Sequence, residues 1–105
     1  MEIMDGKIVV HDEDKEYLYE IGQITAEFEE DIPDVIGVVR CTGITIESEA
    51  PLEINSAAET KLYNEFADVE YNDADGDGSY RDDSRNDLSK RTGVDTSLIE
   101  IEWIS

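Results

Sequence analysis

The chain has 105 residues, the length of one domain, and its composition is strongly acidic. It contains 28 Asp and Glu residues against 8 Lys and Arg, for a formal net charge of −20. A small domain is well soluble at a net charge of about 2–8 in magnitude, so solubility alone does not account for this excess. Hydrophobic residues make up 39% of the chain, which is enough for a core and argues against disorder.

The composition also excludes several classes of protein. The single cysteine, Cys41, rules out an intramolecular disulfide. The first residues lack a basic segment and an apolar run, and no stretch reaches the roughly 18 apolar residues that span a bilayer. Direct nucleic-acid binding needs a basic stripe, and an anionic membrane would repel this chain. We therefore expect a cytoplasmic protein that binds neither nucleic acid nor membrane.

The N-terminal part of the chain is typical of strands. Lys7–Val10 is a β-branched run that follows a turn signal. Apolar and polar residues alternate over Tyr17–Ile21 and again over Ile24–Phe28, with a break in phase at Gly22. This pattern predicts two strands, or one long strand bent at a bulge. A helix over residues 17–29 is the alternative.

The middle of the chain predicts further strands and one main helix. Val35–Arg40 and Cys41–Ile46 are rich in β-branched residues and predict one or two strands. Ser56 and Glu59 have the spacing of a capping box, in which each side chain bonds the other's backbone N–H. We therefore expect a helix over Ala57–Ala67.

The C-terminal part contains the least hydrophobic stretch, Val69–Asp87, which predicts a long acidic loop. A short helix over about Asp83–Arg91 follows, and the alternation in Leu98–Ile104 predicts a half-buried strand. The whole chain, residues 1–105, is thus expected to be one α+β domain. Its mostly antiparallel sheet would have four or five strands, with one main helix packed on it.

The acidic loop partly matches a calcium-binding loop. Asp73, Asp75 and Asp77 occupy the first, third and fifth positions of the EF-hand pattern, and Gly78 occupies the sixth. Ser84 stands at the twelfth position, where that pattern needs a bidentate acid. A solvated loop without an ion is the simpler interpretation, so we expect no resident metal or cofactor and keep a weak calcium site as the alternative.

Catalytic constellations are poorly represented in the sequence. His11 is the only histidine and stands far from Cys41 along the chain, which argues against a zinc site or a nucleophile–base pair. The acidic pairs have no specificity for acid–base chemistry because 28 acids always supply some pair. We therefore expect a binding protein and not an enzyme.

The spacing of the acids on the predicted strands is more informative. Glu27 and Glu29, like Glu100 and Glu102, are two residues apart, so each pair shares one face of its strand. Such residues lie roughly 6.6–6.8 Å apart, which is comparable to two steps of about 3.4 Å along the phosphates of a nucleic-acid strand.

This composition and spacing resemble those of nucleic-acid-mimicking inhibitors encoded by phages and other mobile elements, such as anti-CRISPR and anti-restriction proteins. The resemblance covers composition and no sequence motif. It implies that carboxylates occupy the phosphate sites of a basic groove in a host nucleic-acid-binding protein, in the host cytoplasm. The alternatives are an immunity protein that neutralises a basic nuclease toxin, and a salt-adapted or calcium-binding structural module.

The predicted contact residues combine acids with two tyrosines. Tyr71 and Tyr80 flank the acidic loop and have two interpretations, as interface anchors or as rings packed under the loop. The residues predicted to contact the partner are Glu27, Glu29, Glu30, Asp31, Tyr71, Asp73, Asp75, Asp77, Tyr80, Asp82 and Asp83.

Overall fold

The structure, a computed structural model, describes residues 1–30, 37–72 and 78–104. Along this part of the chain the elements are β1 (Glu2–Met4), β2 (Lys7–Asp12), β3 (Lys15–Glu30), β4 (Val38–Ser48), α1 (Leu52–Phe66), β5 (Tyr71–Asn72), α2 (Ser79–Thr92), a 3₁₀ helix (Thr96–Leu98) and β6 (Ile99–Trp103). The predicted α+β class with a mostly antiparallel sheet is confirmed. The short strands β1 and β5, which lack a recognisable run of their own, were not predicted.

The long strand β3 joins two parts of one six-stranded sheet. Its first part pairs antiparallel with β2, and β1 pairs with β2 beyond it. Its second part lies between β4, which is antiparallel, and β6, which is parallel. We call the second group, with β5 at the start of β4, the main sheet. The path of the chain therefore brings the last strand beside the middle of the third.

A bulge separates the two parts of β3. The register against β4 shifts between Ile21 and Gln23, so Gly22 is the extra residue. The buried residues are odd-numbered at Ile21 and even-numbered from Ile24 onwards, so the bulge keeps the apolar side chains on the core side. The prediction of one strand bent at Gly22 is confirmed, and the alternative of a helix over residues 17–29 is wrong.

Helix α1 packs through the apolar positions that the sequence indicated, but it begins earlier than predicted. Ala58 and Leu62, four residues apart, are buried. The helix starts directly after Pro51, so Ser56 lies inside it and the predicted capping box is wrong. The Glu59 carboxylate instead accepts the backbone N–H of Ile46 at 2.8 Å. Glu59 is thus bonded to a distant strand and not, as the pattern indicated, to the start of its own helix.

Helix α2 is also longer than the short helix predicted over residues 83–91. Its buried side includes Tyr80, Ser84, Leu88 and Thr92 at four-residue spacing. Two of these residues, Ser84 and Thr92, are small and polar, so the sequence shows no continuous apolar periodicity over this helix. Their hydroxyls are satisfied within the helix, since Ser84 donates to the Arg81 carbonyl and Thr92 donates to the Leu88 carbonyl.

Arg91 joins three elements near the end of α2. Its guanidinium forms a bidentate pair with Glu65 of α1 and donates to the Ile3 carbonyl of β1 at 2.9 Å. The hydrogen bond from Arg91 lowers the pKa of Glu65 below its usual value. The two helices are thereby held together on one side of the molecule.

Among the described residues, no helix has both the length and the apolar character that crossing a bilayer requires.

Candidate functional site: an acidic sheet face

The two faces of the main sheet have different surroundings. On β3, Ile24, Ala26 and Phe28 are buried and belong to the same hydrophobic cluster as the buried residues of both helices. Alternate residues of a strand point to opposite faces, so the residues between them face away from the helices. On this outer face Glu29, Glu47, Glu100 and Glu102 are exposed, and Glu27 is half-buried.

The outer face gathers acids from three strands. Glu27 of β3 lies directly beside Glu102 of β6 in the parallel ladder, and Thr25 lies beside Glu100. Glu47 of β4 is opposite Gln23, which places it on the same face. We define the acidic face by the five glutamates of this surface. They are Glu27, Glu29, Glu47, Glu100 and Glu102.

One cation lies on the acidic face, since Arg40 is opposite Glu29 in the antiparallel ladder and also pairs with Glu70 at 2.6 Å. Gln23 donates a hydrogen bond to Glu100 at 3.1 Å. Glu27 and Glu102, by contrast, are like charges side by side in the ladder. Like charges placed directly opposite on neighbouring strands destabilise a sheet, so this arrangement does not serve the stability of the fold.

The structure brings only part of the predicted contact set onto this face. Glu27 and Glu29 lie on it, whereas Asp82 and Asp83 are exposed on α2, on the helical side of the main sheet. Several predicted residues lie outside the described residues or have a side chain that does. These are Glu30, Asp31, Asp73, Asp75 and Asp77.

The two predicted tyrosine anchors are core residues. Tyr71 is 7% exposed and Tyr80 is 2% exposed. The Phe28 ring lies 5.8 Å from each of their centroids, and Trp103 lies 5.9 Å from Tyr80. Tyr71 also donates to Asp87 at 2.8 Å, and burial, followed by this hydrogen bond, raises its pKa. Both rings are therefore packed in the core, and of the two interpretations the structure supports packing over an exposed anchor.

Sequence reasoning missed three members of the acidic face as contact residues. The alternation of Glu100 and Glu102 was visible, but their position beside Glu27 depends on a parallel pairing between distant parts of the chain. Glu47 required the register of β4 against the bulged strand. No local signal in the sequence gives either relationship.

Other chemistry is sparse among the described residues. They contain no group of three or more His, Cys, Asp or Glu residues placed to hold a metal ion. The calcium candidate, Asp73–Asp77, lies outside them. Cys41 is buried, and desolvation raises the pKa of its thiol, which keeps it in the unreactive protonated form.

No protein family matches the chain, and neither a curated protein nor a solved structure shows significant similarity to it. The fold thus defines a small α+β protein with an acidic face on its main sheet.

Proposed function

We propose that this protein is an inhibitor whose acidic face binds the basic groove of a nucleic-acid-binding protein and so excludes the nucleic acid. The observation that carries the proposal is the set of five glutamates that three neighbouring strands place on one face of the main sheet. Such an inhibitor acts in the cytoplasm, in the host cell if a phage encodes it.

The spacing of the acidic face supports mimicry of a phosphate backbone. Glu27 and Glu29 are two residues apart on β3, which corresponds to roughly 6.6–6.8 Å. Glu100 and Glu102 form a second such row on the neighbouring strand, about 4.8 Å away. Lys and Arg side chains that line a phosphate-binding groove meet negative charges at comparable intervals, and the sheet fixes the backbone positions of those charges before binding, so that the side chains alone have to be ordered.

The net charge of −20 supports the same proposal through kinetics. A strongly charged protein is steered towards a surface of opposite charge, which raises the association rate at low ionic strength. We therefore expect the complex to form rapidly and to weaken as salt is added.

The test compares two variants that lose the same number of charges. The acidic-face variant carries Glu27→Gln, Glu29→Gln and Glu102→Gln. The control variant carries Asp14→Asn, Glu53→Gln and Asp68→Asn, which replace exposed acids of the β2–β3 turn and of the two ends of α1. Each protein is immobilised and exposed to lysate of the cell in which it is found, and bound proteins are eluted with duplex DNA or with RNA.

The expected result is that wild-type protein and the control variant retain a basic protein that nucleic acid displaces, whereas the acidic-face variant does not. Equal retention by the two variants would show that total charge and not the acidic face determines binding. Retention that nucleic acid does not reverse would contradict mimicry.

A further inference from the structure

The two edges of the main sheet are protected to different extents. On the β4 edge, β5 covers Val38 and Val39, a bulge follows, and Glu59 accepts the N–H of Ile46. Bulges and covering side chains are usual means of preventing an edge from pairing with another chain. The β4 edge is therefore covered at its start, at Val38 and Val39, and at the N–H of Ile46.

The β6 edge is open beyond its first residue. The backbone N–H of Ile104 donates to the Phe28 carbonyl at 2.8 Å, so the even-numbered residues of this segment direct their peptide groups towards β3. The odd-numbered residues then direct theirs away from the sheet. Arg85 donates to the carbonyl of Ile99 at 3.1 Å, whereas the outward groups of Ile101 and Trp103 have no hydrogen-bond partner among the described residues.

Two of the usual devices against edge pairing, proline and a bulge, are absent from β6, whose ladder with β3 shows no shift of register. Its two charged residues, Glu100 and Glu102, are both acidic, so they disfavour an acidic strand and not a basic one. Trp103 is 40% exposed and Ile104 is 38% exposed, so apolar surface borders the open backbone groups. A regular edge of this kind is suited to accept an additional strand.

The charges beside this edge determine which kind of additional strand can bind there. Glu100 and Glu102 project on the outer side of β6, and Ile101 and Trp103 occupy the alternate positions. A strand added here would place alternate side chains beside the two glutamates and the others beside the apolar residues. Lys or Arg alternating with apolar residues satisfies both requirements. A second copy of this chain fits poorly, because each copy carries a net charge of −20.

We propose that the β6 edge binds an extended segment of alternating basic and apolar residues by β-strand addition. The proposal rests on the proposed function only in taking the partner to be basic. It adds a second contact, made by backbone hydrogen bonds, next to the electrostatic contact of the acidic face.

The test uses two synthetic peptides of equal length and charge, one of alternating Lys and Val and one of alternating Lys and Pro. Proline lacks the N–H that a ladder needs. Amide hydrogen exchange is measured by NMR for Ile101, whose N–H points outward, and for Glu102, whose N–H lies in the ladder with β3. We expect the Lys-Val peptide to slow exchange at Ile101 and the Lys-Pro peptide to leave it unchanged, with Glu102 protected throughout.

A pair of variants tests the backbone contact without relying on the Trp103 ring. Trp103→Ala and Trp103→Pro both remove the ring, but only the second also removes the outward N–H. One hydrogen bond corresponds to a factor of about three to ten in affinity, so the Pro variant should bind the Lys-Val peptide that much more weakly than the Ala variant.

Equal protection of Ile101 by both peptides, or no protection by either, would overturn the proposal. Protection that grows with protein concentration in the absence of peptide would identify a second copy as the occupant and would also overturn it. Strand addition is tested separately from the proposed function. If Ile101 is protected but no partner is displaced by nucleic acid, only the proposed function fails. If a partner is displaced by nucleic acid but Ile101 is not protected, only the proposal of strand addition fails.

Discussion

The inner and outer faces of the main sheet differ in what they contribute to folding. The inner face carries Ile24, Ala26 and Phe28, which are buried in the same hydrophobic cluster as residues of both helices. The outer face, built from the residues between them, carries glutamates, of which Glu27 and Glu102 lie side by side and repel one another. The difference teaches that a strand with period two can meet the needs of a core while it displays charges that oppose folding.

The largest expected effect comes from the inner face. Phe28→Ala removes the ring that contacts both Tyr71 and Tyr80, and we expect the free energy of unfolding to fall by about 3–5 kcal/mol. Thr25→Ala on the outer face should cost about 1 kcal/mol or less. Urea unfolding measures both, and similar losses for the two variants would contradict the division between the faces.

Two tyrosines of the inner face are expected to give smaller changes in the free energy of unfolding, with opposite signs. The Tyr80 hydroxyl is buried and has no hydrogen-bond partner among the described residues, so Tyr80→Phe should raise the free energy of unfolding by about 1 kcal/mol. Tyr71→Phe loses the hydrogen bond to Asp87 and should lower it by a similar amount. Thermal or urea unfolding that shows the same sign for both would refute this assignment.

The smallest expected effect is a gain in stability from the outer face. Combining Glu27→Gln with Glu102→Gln relieves two like charges that face each other across the ladder. The Tm should exceed that of the wild type at low ionic strength, and the difference should vanish in concentrated salt because screening removes the repulsion. Asp14→Asn with Asp68→Asn is the matched control, and an equal rise in its Tm would mean that only net charge matters.

The two-residue alternation of apolar and polar residues, together with the glycine that interrupts it, was sufficient to predict the strands that carry the acidic face. The alternation over Tyr17–Ile21 and Ile24–Phe28, with the break at Gly22, indicated a bulged strand, and the structure confirms it. Prediction failed where a distant group replaced a local partner. Glu59 accepts a backbone N–H of β4 and not one at the start of its own helix, and the polar residues Ser84 and Thr92 on the buried side of α2 concealed its first turn, residues 79–82.

The sequence by itself determined the charge, the α+β class and the side of each strand on which the acids lie, because these depend on composition and on a two-residue period. Only the tertiary structure decided which strands become neighbours. The parallel pairing of β6 with β3 sets Glu102 beside Glu27 and leaves the other edge of β6 without a neighbouring strand in the part of the chain that the structure describes. Pairing between segments so far apart depends on the packing of the whole core, which local patterns do not encode.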